Sequence, residues 1–86
     1  MPELPAYESH LSASAAAFLV GLPRRKQKLV LDLADQLAKN PFRLADYSLM
    51  DGGGRTVDNA VMGEFLFTFW VDHAAKEVRI TEIIKL

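Results

Sequence analysis

A small α+β domain, with a helical hairpin on one face of an antiparallel sheet, is the fold class this sequence predicts. Two observations predict it. Residues 13–39 carry apolar groups at three- and four-residue spacing, whereas residues 47–84 hold short aromatic and β-branched runs broken by glycine or polar turns. The chain has 86 residues, half of them hydrophobic and 24% charged, which fits one globular domain with a small core. It has no cysteine, so disulfide scaffolds, thiol catalysis and thiolate zinc sites are excluded.

The elements follow in order. Residues 1–5 form an extended lead-in, because each proline biases its predecessor away from helix. Ala6 to His10 is a short strand. Ser12 is a helix N-cap, followed by Ala13–Val20 and closed by Gly21. Pro23 opens a second helix that runs to about Lys39, with Leu29, Val30, Leu33, Ala34, Leu37 and Ala38 as its apolar stripe. Asn40-Pro41 stops it, and the short link makes the two helices a hairpin. A strand is expected around Tyr47–Met50, then a glycine turn at residues 51–54. Strands at Arg55–Met62, Glu64–Asp72 and Glu77–Ile84 make an antiparallel meander, giving the order β-α-α-β-β-β(β).

Strict alternation assigns the faces of the last two strands. Phe65, Phe67, Phe69 and Val71 point to the helices. Leu66, Trp70 and Ile83 point away, to the second face. Leu66, Trp70 and Ile83 then mark a surface that something covers: a partner, a second copy, or the chain's own Phe42–Met50 segment. The exposed sheet edge also leaves a homodimer open.

Net charge is −1, so no global field draws the chain to nucleic acid. The cations are unevenly placed, however, since Arg24, Arg25, Lys26 and Lys28 crowd the start of the second helix. Such a cluster opposes the helix dipole. It reads either as a solubilising turn or as a contact for RNA phosphates or an acidic partner segment. The longest apolar run, Ala15 to Leu22, is too short to span a bilayer, and its positive residues follow it, so a cytoplasmic location is expected.

Three stretches together resemble the RelE/ParE superfamily of bacterial type II toxins, over roughly Tyr7 to Ile84. They are Phe18-Leu19-x-x-Leu22-Pro23-Arg24-Arg25 with Leu37-Ala38-Lys39-Asn40-Pro41, then Gly54-Arg55 entering a strand, then the hairpin from Gly63 to Asp72 with Lys76-Glu77-Val78-Arg79-Ile80. The resemblance implies a toxin neutralised by a cognate antitoxin. It implies one of two activities: metal-independent cleavage of mRNA at the ribosome, as in RelE-type members, or inhibition of DNA gyrase, as in ParE-type members. RelE-type toxins commonly carry an arginine after the glycine that opens the central strand, where this chain has Glu64 and Phe65. A non-toxic interaction module of the same fold is the alternative.

Cleavage of RNA without a metal needs a base, an acid and cations for the charge that builds on the phosphate. Arg55, Arg79 and Lys85 are the candidate catalytic cations, and Arg43 joins Arg24, Arg25, Lys26 and Lys28 as candidate RNA or partner contacts. The plainer reading of Arg55 and Arg79 is a pair of solvated strand arginines. His73, in a loop beside the sheet edge, is a candidate acid or base. Ser12, Ser14 and Ser48 lack a nucleophile-elbow context, and Gly52-Gly53-Gly54-Arg55 lacks the Gly-Lys-Ser/Thr ending of a phosphate loop. No cofactor and no metal are expected.

Overall fold

The computed structural model describes residues 7–40, 47–50 and 56–86. They form β1 (Glu8–Leu11), α1 (Ala13–Val20), α2 (Arg24–Lys39), β2 (Tyr47–Met50), β3 (Thr56–Met62), β4 (Phe65–Asp72) and β5 (Glu77–Lys85). The glycine turn expected at residues 51–54 lies outside the described residues. All five strands join one sheet in the order β1-β5-β4-β3-β2.

The last four strands pair antiparallel, as the short runs between them require. β1 lies parallel to β5, so the sheet is mixed. No hairpin joins β1 to β5. The helices and the meander intervene, and a long connection of that kind permits parallel pairing.

Local chemistry explains the helix ends. The Ser12 hydroxyl accepts the Ala15 N–H at 3.1 Å, satisfying one free donor of the first turn. The same hydroxyl donates to the Thr81 carbonyl at 2.7 Å and so ties the start of α1 to β5. Pro23 precedes α2 and makes no side-chain cap. Instead the Gln27 amide donates back to the Leu22 carbonyl at 2.9 Å, bracing the link between the helices.

Both helices cover one face of the sheet. Ala15 of α1, Val30, Ala34, Leu37 and Ala38 of α2, and Phe65, Phe67, Phe69, Val78 and Ile80 of the sheet are buried together. Phe18 meets Phe65 edge to face at 6.1 Å between ring centres. Leu29 departs from the expected stripe and is 41% exposed. The buried line centres on Val30, Ala34, Leu37 and Ala38, and Leu29 sits at its margin.

β5 contains a bulge that corrects one face assignment. Phe69 pairs with Ile80 but Thr68 pairs with Glu82, so Thr81 is an extra residue with no opposite number. Beyond it the alternation changes sense. Ile83, expected on the open face, pairs with Phe67 and is buried in the core at 2% exposure. Ile84 takes the open-face position instead and pairs with Leu66.

Candidate functional site

The uncovered sheet face carries two polar clusters at opposite ends of β5. The first lies at the end shared with β1. Arg79 stands opposite Trp70 across the β4–β5 ladder and places its guanidinium 5.7 Å from the indole ring centre. Its Nη2 is 2.7 Å from Glu77 Oε1 and its Nε is 3.9 Å from Asp72 Oδ2. Strand pairing dictates this grouping, because Asp72 faces Glu77 and Trp70 faces Arg79 in register.

β1 adds a histidine. His10 is level with Arg79 in the parallel ladder, and its Nε2 lies 3.0 Å from Glu77 Oε2 and 3.7 Å from Glu8 Oε2. Glu77 thus bridges His10 and Arg79, one through each carboxylate oxygen. His10, Trp70, Arg79 and Thr81 line a hollow of about 180 Å³. Just beyond, the Tyr7 hydroxyl is 3.1 Å from His73 Nδ1, and the Lys76 ammonium lies 5.5 Å from the Tyr7 ring centre.

The second cluster lies at the other end. Lys26, on the first turn of α2, forms an ion pair with Glu64 in the turn between β3 and β4. That hydrogen bond holds the Glu64 carboxyl below its ordinary range; desolvation opposes the shift, and the charges of Lys26 and Lys85 add to it. Arg24, Arg25 and Lys28 flank Lys26 and are exposed.

Arg79 and Lys85 are not brought together. They are six positions apart on an extended strand, about 20 Å at strand rise. Arg43 and Arg55 lie outside the described residues. Between the two ends, Val61, Leu66 and Ile84 form an apolar row across β3, β4 and β5, with Val61 49% and Ile84 40% exposed. Leu66 and Trp70 are half-buried on this face, as expected, and Ile83 has no part in it.

Sequence reasoning missed His10, Glu77 and Glu64. His10 and Glu77 are 67 positions apart and meet only through parallel pairing, which leaves no local signal. Among the described residues no group of three His, Asp or Glu is arranged to hold a metal ion. No described helix is long and apolar enough to cross a membrane.

Two helices on a five-stranded mixed sheet, with β1 parallel to the strand that ends the meander, is the RelE-like α+β fold. A chain of the toxin–antitoxin complex RelBE2 of Mycobacterium tuberculosis superposes with a TM-score of 0.81 at 20% identity, over 95% of this chain and 100% of that one. A chain of the archaeal RelE–RelB complex of Pyrococcus horikoshii OT3 superposes with a TM-score of 0.71 at 19% identity, over 94% of this chain and 96% of that one. No family model matches the sequence, and no curated protein matches it.

Proposed function

We propose that this chain is the RelE-like toxin of a type II toxin–antitoxin pair, that a cognate antitoxin neutralises it, and that it inhibits translation by ribosome-dependent cleavage of mRNA. The observation that carries this reading is the superposition over the whole of a chain from a toxin–antitoxin complex, at a TM-score of 0.81. In this reading Arg79 meets the charge of the substrate, with Arg55 as a further cation, and Lys85, at the far end of β5, contacts a different part of the RNA. Arg24, Arg25, Lys26, Lys28 and Arg43 contact RNA phosphates or an acidic segment of the antitoxin. Leu66 and Trp70 belong to the surface the antitoxin covers.

A second reading, a non-toxic interaction module of the same fold, is favoured by one specific observation. Two of the cations are already matched by carboxylates: Arg79 by Glu77 and Asp72, and Lys26 by Glu64.

Controlled expression of the chain in a bacterial host separates these readings. Growth arrest with an immediate fall in amino-acid incorporation supports the ribosome-dependent nuclease, and Arg79→Ala or Arg55→Ala then relieves the arrest. Arrest with incorporation initially intact and DNA damage signalled points to gyrase. Normal growth at high expression leaves the interaction module as the function.

A further inference from the structure

Cleavage of RNA at its own 2′-hydroxyl needs a base for that hydroxyl, a cation for the phosphate and room for both. At the β1 end of β5 these requirements meet. Glu77 is only 18% exposed and engages His10 Nε2 at 3.0 Å and Arg79 Nη2 at 2.7 Å. The Glu77 carboxylate beside Nε2 favours the ring hydrogen on that nitrogen, and in that tautomer Nδ1 is the nitrogen with a lone pair to accept a proton. No hydrogen bond to Nδ1 is present among the described residues. This is the arrangement of a base held by a third group.

Two further features mark the place. His10 and Arg79 line the same hollow, of about 180 Å³. Its wall includes Thr81, the bulged residue of β5, and bulges beside active sites re-aim side chains.

We propose that His10, oriented by Glu77, is the general base of RNA cleavage by this protein, and that Arg79 holds the phosphate beside it. The proposal rests on the ribonuclease reading above. His10 Nδ1 takes the proton of the 2′-hydroxyl. The 2′-oxygen forms a bond to the adjacent phosphorus, and the bond from phosphorus to the 5′-oxygen of the next nucleotide breaks. Water protonates the leaving oxygen, and the hydroxide left behind recovers the proton from the imidazolium. The products are a 2′,3′-cyclic phosphate and a 5′-hydroxyl. Glu77 stays ionised throughout and stabilises the transient imidazolium.

The charges around the imidazole come from every neighbouring element. Glu8 lies on its own strand, Glu77 and Arg79 on β5, and Asp72 reaches Arg79 from β4. α2 brings Asp35 and Lys39 to the other flank of His10.

The test uses the full chain, purified as wild type, His10→Asn and Asp32→Asn, the last an exposed position on α2. Each is incubated with an end-labelled oligoribonucleotide, free and as mRNA on programmed ribosomes, from about pH 5 to 9. Wild type should cut, leave a cyclic phosphate, and speed up as the pH rises from the acid end. Asp32→Asn should match it. His10→Asn should cut about 100-fold more slowly or worse, and should lack the rising limb of the pH profile. A His10→Asn protein with the wild-type rate and profile overturns the proposal and leaves the nuclease standing. A wild type that cuts in neither setting overturns the nuclease reading and this proposal with it. Circular dichroism checks folding. If His10→Asn does not fold, Glu77→Gln decides: a folded Glu77→Gln protein with unchanged rate and pH profile also overturns it.

Discussion

The two ends of β4 turn the chain in different ways. At the α2 end, β3 passes into β4 through two residues, and Gly63 takes a φ of 63°, the left-handed region at the first position of the turn. Glycine adopts it without strain, and this is the pattern of a tight hairpin turn. At the β1 end, four residues link Asp72 to Glu77, and the left-handed position falls on Lys76 with a φ of 57°. There Asp72 Oδ1 accepts the Ala75 N–H at 3.1 Å and supports the loop from within. The glycine turn presents an ion pair to exposed cations. The lysine loop frames Glu77, Arg79 and His10. A strained, side-chain-bearing residue thus stands next to the cluster with the richer chemistry, and the relaxed turn stands next to the simpler one.

Both ends hang on the same core, so the largest effect should erase the difference between them. Phe67→Ala removes a fully buried ring at the middle of β4 and should cost about 3–5 kcal/mol in urea unfolding. Both clusters would then melt together as one unit.

The next effect is confined to the β1 side. Ser12→Ala loses both the cap of α1 and the bond to the Thr81 carbonyl, and should cost about 1–2 kcal/mol in the same measurement. Hydrogen exchange should rise first at α1 and the neighbouring part of β5, and little at the Gly63 turn.

Lys76→Gly should sharpen the contrast between the turns. Glycine relieves the left-handed strain of about 1 kcal/mol, and loss of the cation over Tyr7 offsets part of it. A small rise in melting temperature is expected. Gly63→Ala should lower it, although nothing lies within 4 Å of a Cβ there, because the cost is conformational.

The smallest effect belongs to the ion pair at the α2 end. The Glu64 carboxyl titrates lower when folded than its ordinary value of 4.5, so the folded state is favoured at pH above that value. The contribution fades as pH falls below it and through the folded value. Glu64→Gln should therefore lose a small amount of stability near neutrality, where the contribution is fully present, and its difference from wild type should vanish as the pH falls into the acid range. Salt should weaken the wild-type contribution, since the pair is exposed.

Much of this architecture is legible in the chain because its signals are local. Ser12, Gly21 and Asn40 bound the helices, and the aromatic run from Phe65 to Val71 announces the central strand with its buried face. Parallel pairing of β1 is not legible, because nothing in residues 8–11 names its neighbour. Ile83 is misread for a definite reason. The spacing Val78, Ile80, Ile83 breaks the two-residue period, and that break is the trace of the bulge. The basic run at the start of α2 is visible, yet its partner Glu64 comes from a turn 38 positions away. Arg79 is visible as a cation on the open face. Its carboxylates and His10 depend on registers that only the folded sheet supplies.

Thr81 has a consequence for how β5 tolerates changes in length. Removing it would join Ile80 directly to Glu82, and every remaining residue would keep its present neighbour on β4. Ile83 would stay in the core, and Glu82 and Ile84 would stay outside, because the shortened strand alternates without interruption. A deletion of one residue anywhere else in β5 would re-face part of the strand. Position 81 is thus a splice point at which the strand can lose a residue and keep both of its ends in frame, giving up the local bend that the bulge supplies and the hydrogen bonds that Thr81 makes to Ser12 and Thr68.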